Sequence, residues 1–271
     1  MNRSGQPDSS LWLQSWTSRL TPLVDLICVP GAGAGASSYR PWQRNLPGYI
    51  ALHVCQLPGR ENRIDEPGVS DLQHVVGQIS LAYLNGRSAV RPLILFGHSM
   101  GGVIAFELAQ KLQAQGAAPT AIVLSASTPP RSQPQSKSKS KSKSGETTST
   151  LSDEALKQLL LTYDADNQPV VENEELFASL APVLQSDFQL LRSHEIVEEC
   201  TLSDVDAHLM SGDSDLVVSR KSVARWEPFF DGSISHHSCS GGHQFPFRES
   251  EAEVVALLSQ LAHRTLAKVE T

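Results

Sequence analysis

Residues that could form a Ser-His-Asp hydrolytic triad occur in separate parts of the sequence, and the clearest of them is Ser99. It lies in the pattern Gly97-x-Ser99-x-Gly101, directly between a strand-like run and a helical run. That context predicts a sharp strand-to-helix turn on which the serine side chain is exposed. A serine hydroxyl needs a base oriented by an acid before it can attack a carbonyl carbon. The sequence therefore predicts Ser99 as a nucleophile for acyl transfer.

The acid and the base are expected downstream of Ser99, in the chain order Ser, Asp, His. Asp215 and His243 each follow a strand-like run, at 205–211 and 232–239, so both fall in loops at the sheet edge from which Ser99 emerges. Asp213 is an alternative acid that spacing alone does not separate from Asp215. His98 is adjacent to Ser99, where backbone geometry makes it a poor base for its neighbour.

Acyl transfer also needs N–H donors aimed at the developing oxyanion. The amide of Met100, directly after the nucleophile, is the first predicted donor. The second is the amide of Ala32, in a loop at 29–39 that is rich in glycine and alanine and follows an early strand. Small residues let this backbone approach a substrate closely.

The same loop also matches the dinucleotide-binding pattern G-x-G-x-x-A at Gly31, Gly33 and Ala36. Pro30 intrudes at the turn, and no acidic residue follows the next strand to bind a ribose. We therefore prefer the oxyanion interpretation of the loop.

The elements that must position these residues alternate between short apolar runs and longer amphipathic ones. Strands are predicted at 23–29, 50–56, 92–97, 120–125, 205–211 and 232–239, with a further edge strand at 11–16, and helices at 70–84, 101–115, 220–226 and 250–267. Apolar runs with little polar alternation are typical of strands covered on both faces. The fold class is therefore α/β, with a mostly parallel central sheet flanked by helices.

This alternation stops between residues 127 and 200. A Lys/Ser-rich tract at 132–150 has almost no apolar residue and is predicted to be a flexible loop, with a polyanion-binding patch as the alternative. Helical patterns follow at 152–162 and 172–196. We interpret 127–200 as a lid insertion within a single domain that spans 1–271, because α/β folds place their ligands at the carboxyl edge of the sheet.

Composition excludes several classes of protein. The 271 residues carry a formal net charge of −7, which argues against a nucleic-acid-binding protein. The four cysteines form no CxxC pair and are too scattered for a disulfide framework or a structural zinc site. A polar N-terminus and the lack of a long apolar run predict a soluble, cytoplasmic protein without a membrane partner.

Four stretches of the chain resemble the type II thioesterases, editing enzymes of nonribosomal peptide and polyketide synthase systems. They are Ile27–Gly33 with Tyr39 and Trp42, the LPGRxxR segment at 57–63, the GHSMGG turn at 97–102, and the paired loops at 212–215 and 241–245. The likeness runs from about Leu11 to the C-terminus. The Lys/Ser tract departs from the family pattern, and so does the segment at 182–188, where the family more often has Arg-Ala before Asp187-Phe188.

The resemblance implies an α/β-hydrolase fold and a triad of Ser99, Asp215 and His243, with Asp215 favoured over Asp213. It implies an acyl or aminoacyl thioester substrate on the phosphopantetheine arm of a carrier protein, cleaved through an acyl-enzyme. No metal or cofactor of its own is expected, and carrier domains are the expected partners of a monomer. Six apolar residues of the insertion are candidates for lining the acyl site: Phe177, Leu180, Val183, Leu184, Phe188 and Leu191. The alternative function is hydrolysis of small free carboxylesters.

Overall fold

The computed structural model describes residues 9–16, 21–87, 90–130, 151–192 and 201–269. Its strands are β1 Leu13–Trp16, β2 Val24–Val29, β3 Ile50–Cys55, β4 Leu93–His98, β5 Ala121–Ser125, β6 Asp206–Gly212 and β7 Ile234–Cys239. They form one sheet in the order β1-β3-β2-β4-β5-β6-β7, with β1 and β7 at its edges. Only the β1–β3 pair is antiparallel, so the predicted mostly parallel sheet is confirmed.

Helices cover both faces of the sheet. They are α1 Arg40–Asn45, α2 Leu72–Gly86, α3 Met100–Ala114, α7 Arg220–Val223 and α8 Glu251–Val269. Three further helices lie between β5 and β6. Side chains of a strand alternate between faces. In β4, Leu93 and Leu95 pack with α2 and α3, whereas Ile94 and Phe96 pack with α1 and α8. From Leu93 to Phe96, β4 is therefore apolar on both faces.

The predicted strands and helices of the sheet region agree with the structure to within a few residues at their ends. The edge strand is shorter than predicted, because residues Ser9–Trp12 form a 3₁₀ helix. The predicted helix at 220–226 ends after one turn and continues as the 3₁₀ helix Ala224–Phe229. Helix α1 was not predicted; a proline in its first turn fits the start of a helix.

The helices between β5 and β6 are α4 Asp153–Tyr163, α5 Gln168–Glu172 and α6 Glu174–Arg192, and we call them the insert helices. The single helix predicted at 172–196 is wrong at its start. Asn173 separates α5 from α6, since its side chain accepts hydrogen bonds from the amides of Glu175 and Leu176 and so caps α6. The Lys/Ser tract at 132–150 and the predicted helical end at 193–196 lie outside the described residues.

In the described ranges, no helix is both long and apolar enough to span a bilayer. Within the same ranges, no cluster of three His, Cys, Asp or Glu side chains is arranged to hold a metal ion. Cys28, Cys55 and Cys239 are buried free thiols, and Cys200 lies outside the described residues.

Candidate active site

Ser99 occupies a strained turn between β4 and α3. Its backbone has φ 53° and ψ −117°, a conformation that residues other than glycine rarely adopt. The flanking glycines permit the close approach that the turn needs. A Cβ atom on Gly97 would lie 2.3 Å from the carbonyl oxygen of Gly101, and one on Gly101 would lie 2.1 Å from that of Val29. The strand-turn-helix context expected from the sequence is therefore present.

Ser99, His243 and Asp215 form a hydrogen-bonded chain. His243 Nε2 lies 3.0 Å from Ser99 Oγ, and His243 Nδ1 lies 2.9 Å from Asp215 Oδ2. The side chains of His243 and Asp215 are 1% and 0% exposed. With a proton on Nδ1 donated to the carboxylate, Nε2 is free to accept the serine proton. The loops after β4, β6 and β7 thus bring together the three residues predicted from separate parts of the sequence.

Asp215 is held in place from its other side as well. Its Oδ1 accepts hydrogen bonds from the amides of Val217 at 2.7 Å and Val218 at 3.0 Å. Burial alone would raise the pKa of Asp215, but the hydrogen bond and charge of His243, with these two amides, outweigh it. The net pKa lies below the usual value. A carboxylate in this environment stays ionised.

In the described part of the chain, the alternative acid, Asp213, makes no hydrogen bond or ion pair with His243. It accepts hydrogen bonds from the amide of Gly241 at 3.0 Å and the hydroxyl of Ser214 at 2.9 Å, and therefore fastens the loop that carries the histidine. His98 is not placed as a base, because its Nδ1 lies 3.2 Å from Ser125 Oγ and burial holds its pKa well below the usual value.

Both predicted oxyanion donors lie beside Ser99. Met100 is the first residue of α3, and no side chain caps that helix, so its amide is one of the unpaired donors of the first turn. The loop that carries Ala32 passes against the turn, where a Cβ on Gly31 would lie 3.4 Å from Ser99 Cβ. In the described part of the chain, the amides of Gly33 and Ala34 have acceptors, whereas that of Ala32 has none.

The structure does not support dinucleotide binding at this loop. Residues Ala36–Tyr39 form a single 3₁₀ turn followed by the six-residue α1, not the long helix whose N-terminus would face a pyrophosphate. The Ala36 amide donates instead to Gln56 Oε1 at 2.8 Å.

A cavity of about 430 Å³ opens onto Ser99 and His243. Five of its lining residues come from the insert helices and the turn between them: Leu160, Tyr163, Asp164, Asn167 and Leu180. Of the six apolar residues proposed from sequence as an acyl lining, only Leu180 lines this cavity. Phe177 and Leu184 pack instead with Leu156 and Leu160 in a small core inside the insert. Their apolar character therefore reflects helix packing.

Two contacts between the insert helices and the chain that follows β7 were not predicted. The ring of Tyr163, at the end of α4, stacks on His243 with centroids 4.9 Å apart and an interplanar angle of 20°. Burial, with the charge of Asp215, raises the pKa of Tyr163 to about 12, so its hydroxyl stays protonated. Arg248, five residues after His243, pairs with Asp164 and Asp166 at 2.5 Å each. No local sequence signal marks these residues, because the contacts are purely tertiary.

The family model of the thioesterase domain matches residues 24–264, and the chain therefore belongs to that family. Its class is an α/β-hydrolase that acts on thioesters. Linear gramicidin dehydrogenase LgrE of Brevibacillus parabrevis is 30% identical over 260 residues, which cover 93% of each chain. Thioesterase PikA5 of Streptomyces venezuelae is 28% identical over 242 residues, covering 87% of this chain and 80% of that one.

Among solved structures, the type II thioesterase BorB from the borrelidin biosynthetic cluster resembles this structure over nearly its whole length. It has a TM-score of 0.78 and 28% identity, with 95% of this chain and 100% of that chain covered. The resemblance to type II thioesterases of nonribosomal peptide and polyketide pathways that the motifs indicated is confirmed.

Proposed function

We propose that this enzyme hydrolyses acyl and aminoacyl thioesters on the phosphopantetheine arm of carrier proteins, through an acyl-enzyme on Ser99. The observation that carries the proposal is the chain of hydrogen bonds from Ser99 through His243 to Asp215 at a cavity roofed by the insert helices. Membership of the thioesterase family supplies the class of bond that is cleaved. Relatives named for gramicidin S and anguibactin biosynthesis support carrier-bound substrates.

Acylation begins when His243 Nε2 takes the proton of Ser99 as the serine oxygen attacks the thioester carbonyl carbon. The oxyanion that forms faces the amides of Met100 and Ala32, and one oxyanion-hole donor contributes about 3–4 kcal/mol in serine hydrolases. The C–S bond then breaks. Because a thiol has a reference pKa near 8.5, the arm leaves far more readily than an amine would, and His243 returns the proton to it.

Deacylation repeats the chemistry with water as the nucleophile. His243 removes a proton from water, the hydroxide oxygen attacks the ester carbon of acyl-Ser99, and the oxyanion again faces the two amides. Collapse of this intermediate releases the free acid and returns the proton to Ser99. Asp215 stays ionised throughout and stabilises the imidazolium that forms in each half-reaction.

The insert helices act in this proposal as a lid over the acyl group, within a single catalytic domain. The phosphopantetheine belongs to the carrier protein, so the enzyme needs no cofactor of its own. The partner is a carrier domain that meets a monomeric enzyme and presents only its arm to the cavity.

The decisive experiment compares turnover of acyl-carrier thioesters with turnover of a p-nitrophenyl ester of the same acyl group. We expect a higher kcat/KM for the carrier thioester, and mass spectrometry should find the acyl group on Ser99. Ser99→Ala should abolish both. A clear preference for the free ester would instead support the alternative, a carboxylester hydrolase. An unchanged rate in folded Ser99→Ala would overturn the serine mechanism.

A further inference from the structure

A buried ion pair and its hydrogen bonds join the loop at 29–39, which we call the oxyanion loop, to the insert helices. Arg60, from the LPGRxxR segment, donates through Nη2 to Asp187 Oδ1 at 2.7 Å and through Nη1 to Asp187 Oδ2 at 2.8 Å. Asp187 lies on α6, and the two side chains are only 6% and 1% exposed. A buried ion pair needs further hydrogen bonds to offset its desolvation, so its other partners show what it holds.

Those partners are backbone groups of the oxyanion loop. Asp187 Oδ2 also accepts the amide of Gly33 at 2.8 Å, and Arg60 Nη1 donates to the carbonyl oxygen of Ala34 at 3.1 Å. The pair is therefore hydrogen-bonded to the backbone of the two residues that directly follow Ala32. By taking the Gly33 amide toward α6, Asp187 fixes the orientation of the peptide next to the one whose N–H is proposed to face the oxyanion.

The loop is also pressed closely against the same helix. Gly33 has φ +75°, and a Cβ there would lie 2.9 Å from a methyl group of Leu184, one turn before Asp187. Gln56 holds the far end of the loop, accepting the Ala36 amide at 2.8 Å and donating to the Arg60 carbonyl oxygen at 3.0 Å. Three backbone groups of the loop are thus tied to one network centred on Arg60.

We propose that Arg60 and Asp187 are positioning residues that hold the Ala32 amide in the oxyanion hole, so that helix α6 of the insert sets the geometry of this half of the site. The inference rests on the proposed serine mechanism. Arg60 has a second role in it, because a carboxylate beside an oxyanion hole would oppose the developing negative charge unless a cation neutralised it. The insert is in this respect a structural part of the catalytic site as well as its cover.

The test removes both charges together, because removing one partner leaves the other buried without a counterion. In Arg60→Met/Asp187→Leu the two side chains stay similar in volume, but Gly33 loses its acceptor. We expect kcat to fall about 10- to 100-fold with KM changed less than about threefold, as displacement of one oxyanion donor predicts. Affinity for an acyl trifluoromethyl ketone, whose adduct with serine carries an oxyanion, should fall by the same factor.

Asp187→Asn provides a second, isosteric variant that keeps an oxygen for Gly33. It should lose less activity than the double variant, and its kcat and its affinity for the inhibitor should again fall by the same factor. The matched control is Glu66→Gln, since Glu66 forms a two-point pair with Arg63 of the same segment, and within the described residues its side chain makes no hydrogen bond to the loop or to the insert. We expect it to keep wild-type kcat and inhibitor affinity.

An unchanged kcat in a folded double variant would overturn the proposal, and so would a loss that appears only in KM or leaves inhibitor affinity intact. If the double variant does not fold, unchanged kcat and inhibitor affinity in Asp187→Asn would overturn it equally. Ser99→Ala, assayed in parallel, separates the two proposals. Activity in that variant contradicts the serine mechanism itself, whereas an inactive Ser99→Ala with fully active Arg60 and Asp187 variants contradicts only the positioning role.

Discussion

Two aspartates separated by one residue take different parts in the site because only one of them faces the histidine. Asp215 accepts from His243 Nδ1, whereas Asp213 points to the amide of Gly241. Both carboxyl groups have a lowered pKa, so ionisation does not distinguish them. Direction does. The difference is one of geometry that the spacing of the residues could not reveal.

Asp215→Asn should lower kcat about 10³- to 10⁴-fold, because an amide in this place favours the histidine tautomer that cannot accept the serine proton. Asp213→Asn is the matched control, since an amide oxygen can still accept from Gly241 and Ser214. Its kcat should stay within a few-fold of wild type. Steady-state hydrolysis of an acyl-carrier thioester measures both, and similar losses in the two variants would contradict the assignment of the acid.

Tyr163 is expected to contribute to catalysis through its ring. When His243 takes a proton, its positive charge lies against the aromatic face, an interaction worth about 0.5–2 kcal/mol. Tyr163→Leu should therefore lower kcat/KM about 2- to 30-fold. Tyr163→Phe keeps the ring and should stay close to wild type. Equal losses in the two variants would show that the hydroxyl group, and not the ring, is what counts.

At the scale of elements, the strand-to-helix turn depends on glycines that have no room for a side chain. In Gly101→Ala, the new methyl group would meet the backbone oxygens of Val29 and Pro30 at 2.1 and 2.6 Å, and neither can move freely. We expect the free energy of unfolding to fall by about 1–3 kcal/mol and kcat to fall sharply, because the turn that carries Ser99 must shift.

Gly77→Ala is the control for this substitution. Gly77 lies inside α2, and a Cβ there would meet nothing within 4 Å. Because alanine favours a helix over glycine, the free energy of unfolding should rise by about 0.5–1 kcal/mol with unchanged kcat. Urea denaturation of both variants checks the pair. A Gly101→Ala protein as stable and active as wild type would contradict the steric argument.

Local features of the site could be predicted from the sequence, whereas contacts across the insert could not. The Gly97-x-Ser99-x-Gly101 turn is specified by neighbouring residues, and strand order places the acid and histidine loops at the same edge. Tyr163 has no comparable signal, because its contact with His243 depends on how α4 packs. Likewise, the segments of Arg60 and Asp187 resembled family motifs separately, and nothing in either one showed that they meet.

At the scale of the whole molecule, a second group of buried charges lies near the amino ends of the parallel strands, whereas the active site lies at their carboxyl ends. Asp25, at the start of β2, accepts from Arg91 at 2.8 Å, from His53 at 3.1 Å and from the Tyr83 hydroxyl at 3.2 Å. Burial raises the pKa of Asp25, but the hydrogen bonds and charges of His53 and Arg91 outweigh this, and the net pKa is lowered. The ionised carboxylate therefore stabilises the folded state.

This lowered pKa sets the sign of a pH dependence. The contribution of Asp25 is complete above its unfolded pKa, near 3.9, and is lost as pH falls through the lower folded pKa. Asp25→Asn should thus reduce the free energy of unfolding most above about pH 5, and the difference from wild type should shrink toward pH 2. Denaturant titrations across this range measure the difference. A difference that stayed constant with pH would contradict the role of the charge.

The two edge strands of the sheet affect the tendency of the protein to aggregate at high concentration. An exposed strand edge is a template on which another chain can add, and long apolar edges promote aggregation. Here one border, β1, is only four residues long, and the other, β7, is largely polar, with His236, His237 and two serines in six residues. Neither edge strand is long and apolar, so a neighbouring molecule has little to pair with, and the sheet is poorly suited to growing into fibrils.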